Sequence, residues 1–145
     1  MPRDREIVKE KRDAVREVFY KHLKEMGRIC RIDFIYQLTA ESEAPSFYIS
    51  FREARYIIHA SETGRLRGRL KSLTNQRDID FAEAYKRFAS KHEGHLKSWM
   101  INETINTPAK SFYMKGTEVA RIISIRANKT QPTVKKEMYS LVEQD

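Results

Sequence analysis

The sequence predicts a mainly α-helical fold: two tandem, pseudo-symmetric helical repeats and a C-terminal closing helix, with room for a minimal two-stranded ribbon. Three observations predict it. The chain repeats itself without a gap at a shift of 65 residues, so that Ala44-Pro45-Ser46-Phe47-Tyr48-Ile49, leading to Glu53-Ala54 and Ile57-Ile58, returns as Ala109-Lys110-Ser111-Phe112-Tyr113-Met114, leading to Glu118-Val119 and Ile122-Ile123. The match reaches back through Phe34 and Trp99, and Thr39 and Thr104, to Tyr20-Lys21 and Tyr85-Lys86; one supersecondary unit is used twice. Elsewhere apolar residues recur at helical spacing between charges, and only the Phe-Tyr segments read as extended.

The elements follow in order. From Arg5 to Met26 the positions Val8, Val15, Val18, Phe19, Leu23 and Met26 form one apolar stripe, and Gly27 suits a left-handed C-terminal cap. A shorter helix is predicted from Arg31 to Thr39, burying Ile32, Ile35 and Leu38, with Phe34 to one side. Pro45 holds Ala44 extended, and Phe47-Tyr48-Ile49 reads as a very short strand or connector. Ser50 and Glu53 make a capping box that starts a helix from Phe51 to Ala60. The second copy predicts helices over Asp80 to His92, Leu96 to Asn106 and Thr117 to Arg126, with Lys115-Gly116 in place of the capping serine. Pro132 then opens a closing helix, in which Glu137-Met138-Tyr139 and Val142 echo Glu83-Ala84-Tyr85 and Phe88.

The 145 residues suit a single compact domain. Within it we place repeat one at 14–60, a basic connection at 64–78, repeat two at 79–126 and the closing helix at 132–143. The lone Cys30 excludes an intramolecular disulfide and a multi-cysteine zinc site, which suits a reducing compartment. Met1-Pro2-Arg3-Asp4-Arg5-Glu6 has no apolar signal core and no apolar run reaches bilayer length, so a cytoplasmic location with no membrane partner is expected. The basic helices also lack the exposed Trp and Leu stripe that interfacial insertion needs.

A net charge of +8 favours a polyanion, of which nucleic acid is the commonest; solubility is the other reading of the same charge. Subtracting the buried side of the Phe51 helix leaves Arg52, Arg55, Tyr56 and His59 outward, whereas the second copy offers Thr117, Ala120, Arg121 and Ser124. Arg65, Arg67, Arg69 and Lys71 stand in the glycine-punctuated connection. With Arg121, Arg126 and Lys129, they and the Arg52-Arg55-Tyr56 strip are the candidate nucleic-acid contacts, phosphate contacts giving affinity and Arg52, Arg55 or Tyr56 any base readout. Tyr48 and Tyr113 stand between a packing role and stacking on bases.

Catalysis finds no support in the motifs. His92-Glu93-Gly94-His95 lacks the zincin spacing and reads as a loop, Cys30 has no adjacent base, and Trp99 reads as a core anchor. Tyr139 invites comparison with a recombinase nucleophile, but its echo at Tyr20 and Tyr85 makes it a repeated structural position. No cofactor, metal or catalytic residue is expected.

The Ala-Pro-Ser-Phe-Tyr-Ile-Ser segment at 44–50, followed by Glu53-Ala54 and Ile57-Ile58, resembles a loose group of small bacterial proteins met in phage-like or mobile-element neighbourhoods. In that group a similar A-P-x-F-Y-[IV]-[ST] segment precedes a helix, and a basic stretch leads to a further helix. Ala109 to Ile123 give a degenerate second match that lacks the proline. The resemblance implies no established activity and a mild lean towards DNA transactions. The expectation is therefore non-enzymatic binding of nucleic acid, duplex DNA foremost, through a basic surface. The rival is a protein-interaction adaptor or self-associating helical scaffold, for which a homo-oligomer is an open possibility.

Overall fold

The computed structural model describes residues 4–66 and 72–129, with side chains of the last helix described through residue 125. Among the described residues it is all helix and connection: α1 (Asp4–Met26), α2 (Ile32–Glu41), α3 (Phe51–Glu62), α4 (Leu73–Lys91), α5 (Lys97–Ile105) and α6 (Gly116–Lys129). The mainly α class is as the periodicity predicts. The closing helix expected at 132–143, Tyr139 included, lies outside the described residues.

Helix boundaries recur at the shift of the sequence repeat. α1 and α4 end at Met26 and Lys91, α2 and α5 begin at Ile32 and Lys97, and α3 and α6 begin at Phe51 and Gly116. The chain nevertheless divides into compact units that draw on both copies. One gathers Glu43–Tyr113 with the start of α1 through Lys11; the other gathers Arg12–Ser42 with the segment from Met114.

In the first unit α3 packs on α4 and α5, and α4 on α5. Its core holds Ala54, Ile57 and Ile58 of α3, Phe81, Ala82 and Tyr85 of α4, Ile101 and Ile105 of α5, and Phe47 and Phe112 from the connections. Phe47 meets Phe81 edge to face at 5.1 Å between ring centroids, a favoured aromatic geometry. In the second unit α2 packs on α6, with Val15, Phe19 and Leu23 of α1, Ile35 of α2 and Val119, Ile122 and Ile123 of α6 buried. Phe19 stacks on Tyr36 at 5.3 Å; burial first, and then the Asp33 charge, raises the Tyr36 phenol above its ordinary range.

The start of α3 is as the capping box predicts in its first half: Ser50 Oγ accepts from the Glu53 N–H at 3.0 Å. The Glu53 carboxylate turns instead to Arg77, at 3.2 Å. α6 has no serine at that place, and its first N–H, on Gly116, donates to Gln37 Oε1 at 3.3 Å. An amide on α2 thereby caps a helix far along the chain. At the other end of α3, Gly64 has φ +73°; its N–H donates to Ser61 O at 3.2 Å and that of Arg65 to Ala60 O at 2.8 Å, a Schellman C-cap.

Several expectations need correction. α4 begins at Leu73, not Asp80, because Ser72 Oγ accepts from the Asn75 N–H at 3.1 Å and supplies the cap. Gly27 is not left-handed. Its N–H continues the helical pattern to Leu23 O at 2.8 Å, where an added Cβ would stand 2.5 Å from that oxygen. Val8 and Ile32, placed on apolar stripes, are exposed, as is Phe34, set to one side of its stripe. Trp99, expected as a core anchor, stands 38% exposed.

The Phe-Tyr segments are not strands. Tyr48 and Tyr113 each take φ +54°, a left-handed conformation that costs an L-residue about 1–2 kcal/mol. The Ser46 and Ser111 hydroxyls receive their N–H groups at 3.3 and 3.0 Å. Upstream, Ala44 and Ala109 exchange both backbone hydrogen bonds at 2.9 Å, so the two-stranded pairing reduces to one antiparallel bridge. Around it the aromatics stack reciprocally, Phe47 on Tyr113 at 6.5 Å and Tyr48 on Phe112 at 6.4 Å. Phe47 and Phe112 are buried, while the tyrosines are half-buried at the margin.

Candidate functional site

The pattern of α3 explains its outward face. Ala54, Ile57, Ile58 and Ala60 turn inward, and the intervening positions Arg52, Arg55, Tyr56 and His59 are exposed. Because α5 packs beside α3, these side chains form one wall of an open trough of about 660 Å³, and Lys97 and Ser98 stand on the other. Phe51 and Ile101 give it an apolar floor and Glu62 closes it on the acidic side. Lys97 Nζ spans both Glu62 oxygens at 2.8 and 3.1 Å. The Arg55 guanidinium lies 6.0 Å from the Phe51 ring centroid, at the reach of a cation–π contact. Tyr56 is 74% exposed. Three cations and one carboxylate thus border an apolar floor, an arrangement suited to an anion that carries a flat ring.

The structure brings Arg52, Arg55 and Tyr56 together as the helical spacing predicts. Arg65 is exposed just past the α3 cap. Arg67, Arg69 and Lys71 lie outside the described residues, as do the side chains of Arg126 and Lys129 on α6. Arg121 is exposed on α6, in the other compact unit. The sequence reading missed Phe51, Lys97, Ser98 and Ile101 as lining residues. The signal for Lys97 is divergence between the copies, since a cation stands where the first copy has Ile32.

Two further clusters belong to the first unit. After α4, His92 stacks on Phe88 at 4.0 Å, and its Nδ1–H donates to Phe88 O, 2.9 Å away. His95 stacks on Trp99 at 4.7 Å. Residues 92–95 are a loop with Gly94 at φ +90°, and among the described residues no group of three or more His, Cys, Asp or Glu could hold a metal ion. At the margin of the core the Tyr113 hydroxyl donates to Asp80 Oδ2 at 2.6 Å. Asp80 is 7% exposed. Burial first, then this hydrogen bond, pushes the Tyr113 phenol well above its ordinary range. Its oxygen therefore stays protonated and unsuited to nucleophilic attack.

Among the described residues no helix is long and apolar enough to cross a membrane. Compared with protein-family models, curated proteins and solved structures, the chain matches none.

Proposed function

We propose that the chain binds nucleic acid, without chemistry of its own, through the cationic face of α3. The observation that carries this reading is the convergence of Arg52, Arg55 and Lys97 on one trough beside the exposed ring of Tyr56, in a chain of net charge +8. Guanidinium and ammonium groups contribute affinity through phosphates and release counterions, so binding must weaken steeply as salt rises.

Fluorescence anisotropy of labelled oligonucleotides, single- and double-stranded, across about 50 to 200 mM salt tests it. The expected result is a negative slope of log affinity against log salt that becomes shallower in Arg52→Ala/Arg55→Ala. Absence of binding at the lowest salt refutes it. A second reading, a protein-interaction or self-associating scaffold, is favoured by Ile29, Ile32 and Phe34, which stand exposed on the other unit. Sedimentation showing concentration-dependent mass, with no oligonucleotide binding, would select that reading.

A further inference from the structure

We infer that the α3–α5 trough takes an unpaired nucleotide, the base on the apolar floor and the phosphate on the rim, and so prefers a single strand to a duplex. This rests on the nucleic-acid reading above and names the ligand of that same site.

Shape is the first argument. A helix that reads duplex DNA must protrude, because it enters a major groove about 12 Å wide. The cationic face of α3 does not stand clear: Lys97 and Ser98 of α5 line the same opening, with Ile101 beneath them, and the surface there is concave. A duplex would ride on the rim and leave the floor empty. The volume, about 660 Å³, falls in the range of sites that enclose small organic ligands, about 300–1,000 Å³.

Chemistry is the second. Single-strand binding combines a cationic track for the backbone with aromatic faces on which bases stack. Tyr56 is the most exposed aromatic side chain among the described residues, and it borders a floor of Phe51 and Ile101. Arg52 makes no hydrogen bond or ion pair among the described residues and is available to a phosphate. Lys97 is held by Glu62 at 2.8 Å, both side chains about half exposed, so a phosphate can compete for it at small cost.

The third argument is the contrast between the copies. Where the first copy has Phe51, Arg52, Arg55 and Tyr56, the second has Gly116, Thr117, Ala120 and Arg121. Gly116 lets α6 approach α2 until an added Cβ would lie 3.2 Å from both Cα and N of Gln37. Phe51 at the equivalent place lines an opening instead. The trough is a property of this pair of helices, not a by-product of the repeated scaffold.

The test measures anisotropy with a labelled single strand of about 12 nucleotides, as DNA and as RNA, and with the matching duplex; sites of this kind cover about 4–16 nucleotides. We expect the single strand to bind about tenfold more tightly than the duplex, with Tyr56→Ala weakening the single strand by about 5- to 150-fold. Tyr56→Phe, which keeps the ring, should bind as the parent does, and Arg52→Ala should reduce the single-strand salt slope by about 0.7. A preference for DNA or for RNA supports the inference equally and identifies the sugar. Equal or tighter duplex binding, with Tyr56→Ala unchanged on the single strand, overturns the inference and leaves the nucleic-acid reading standing. No binding of any oligonucleotide overturns both.

Discussion

The bond between Tyr113 and Asp80 offers a sharp test of how the first unit is held. Tyr113→Phe removes one hydroxyl and leaves the ring in place, including its stacking on Phe47. The Asp80 carboxylate is then buried without its 2.6 Å donor. Lys110 Nζ remains at 3.8 Å, but its side chain is 70% exposed and it is a weak substitute. Hydrogen bonds to charged groups are worth about 1.5–3 kcal/mol, so a loss of about 2 kcal/mol is expected. With a urea slope of about 2 kcal/mol/M the midpoint falls by about 1 M.

Trp99, the lone tryptophan, sits in the same compact unit and reports the transition by fluorescence. The second copy of the repeat carries Asp80 where the first carries Val15, which supplies the control. Asp80→Val on its own should cost less than about 1 kcal/mol, because the half-exposed tyrosine hydroxyl can turn to water. The double variant should then be about as stable as Asp80→Val, giving a coupling of about 1.5–2 kcal/mol. A Tyr113→Phe midpoint within about 0.25 M of the parent, with effects additive to about 0.5 kcal/mol, would refute the reasoning.

Two other perturbations follow from the same packing. Gly116→Ala places a methyl 3.2 Å from Gln37 backbone atoms; overpacking of about 1–3 kcal/mol outweighs the gain of about 0.4–1 kcal/mol from restricting the unfolded chain, and the urea midpoint by circular dichroism should fall. At alkaline pH, Tyr113 holds its proton more tightly folded than unfolded, where the ordinary value is near 10. Its stabilisation is complete below pH 10 and is lost as pH rises from there through the higher folded value. The tyrosinate absorbance of the folded protein should therefore contain a last-titrating component that Tyr113→Phe removes.

Helix content was legible because amphipathic spacing is a local signal, and Ser50 was legible as a cap because its partner is three residues away. Ser72 carried the same kind of signal, with Asn75 supplying the donating N–H, but the basic glycine-punctuated stretch before it drew the helix start too late. Gly64 is visible in the sequence as punctuation of the basic connection, while its Schellman role depends on where α3 ends. The left-handed tyrosines were not legible: the Ser46 and Ser111 hydroxyls that accept their N–H groups are a weak local signal, and the reciprocal stacking of the two segments is a tertiary contact. Arg52, Arg55 and Tyr56 followed from the period of α3. Lys97 and Ile101 did not, because the trough exists only once α5 lies beside α3, a contact that no periodicity encodes. Val8 and Ile32 misled for the opposite reason: apolar spacing marks a stripe without saying what covers it.

The mixed make-up of the compact units has a consequence for how the chain is made. The second unit opens with residues 12–42 and is completed by the segment that starts at Met114. At a synthesis rate of about 5–20 residues per second, α2 waits about 4–18 seconds for α6 to be completed. During that wait Gln37 has no helix to cap, and α2 has no α6 to pack against. Residues 12–42 are made before most of the first unit yet are completed after it, and the unit that contains Trp99 has all its residues by Tyr113.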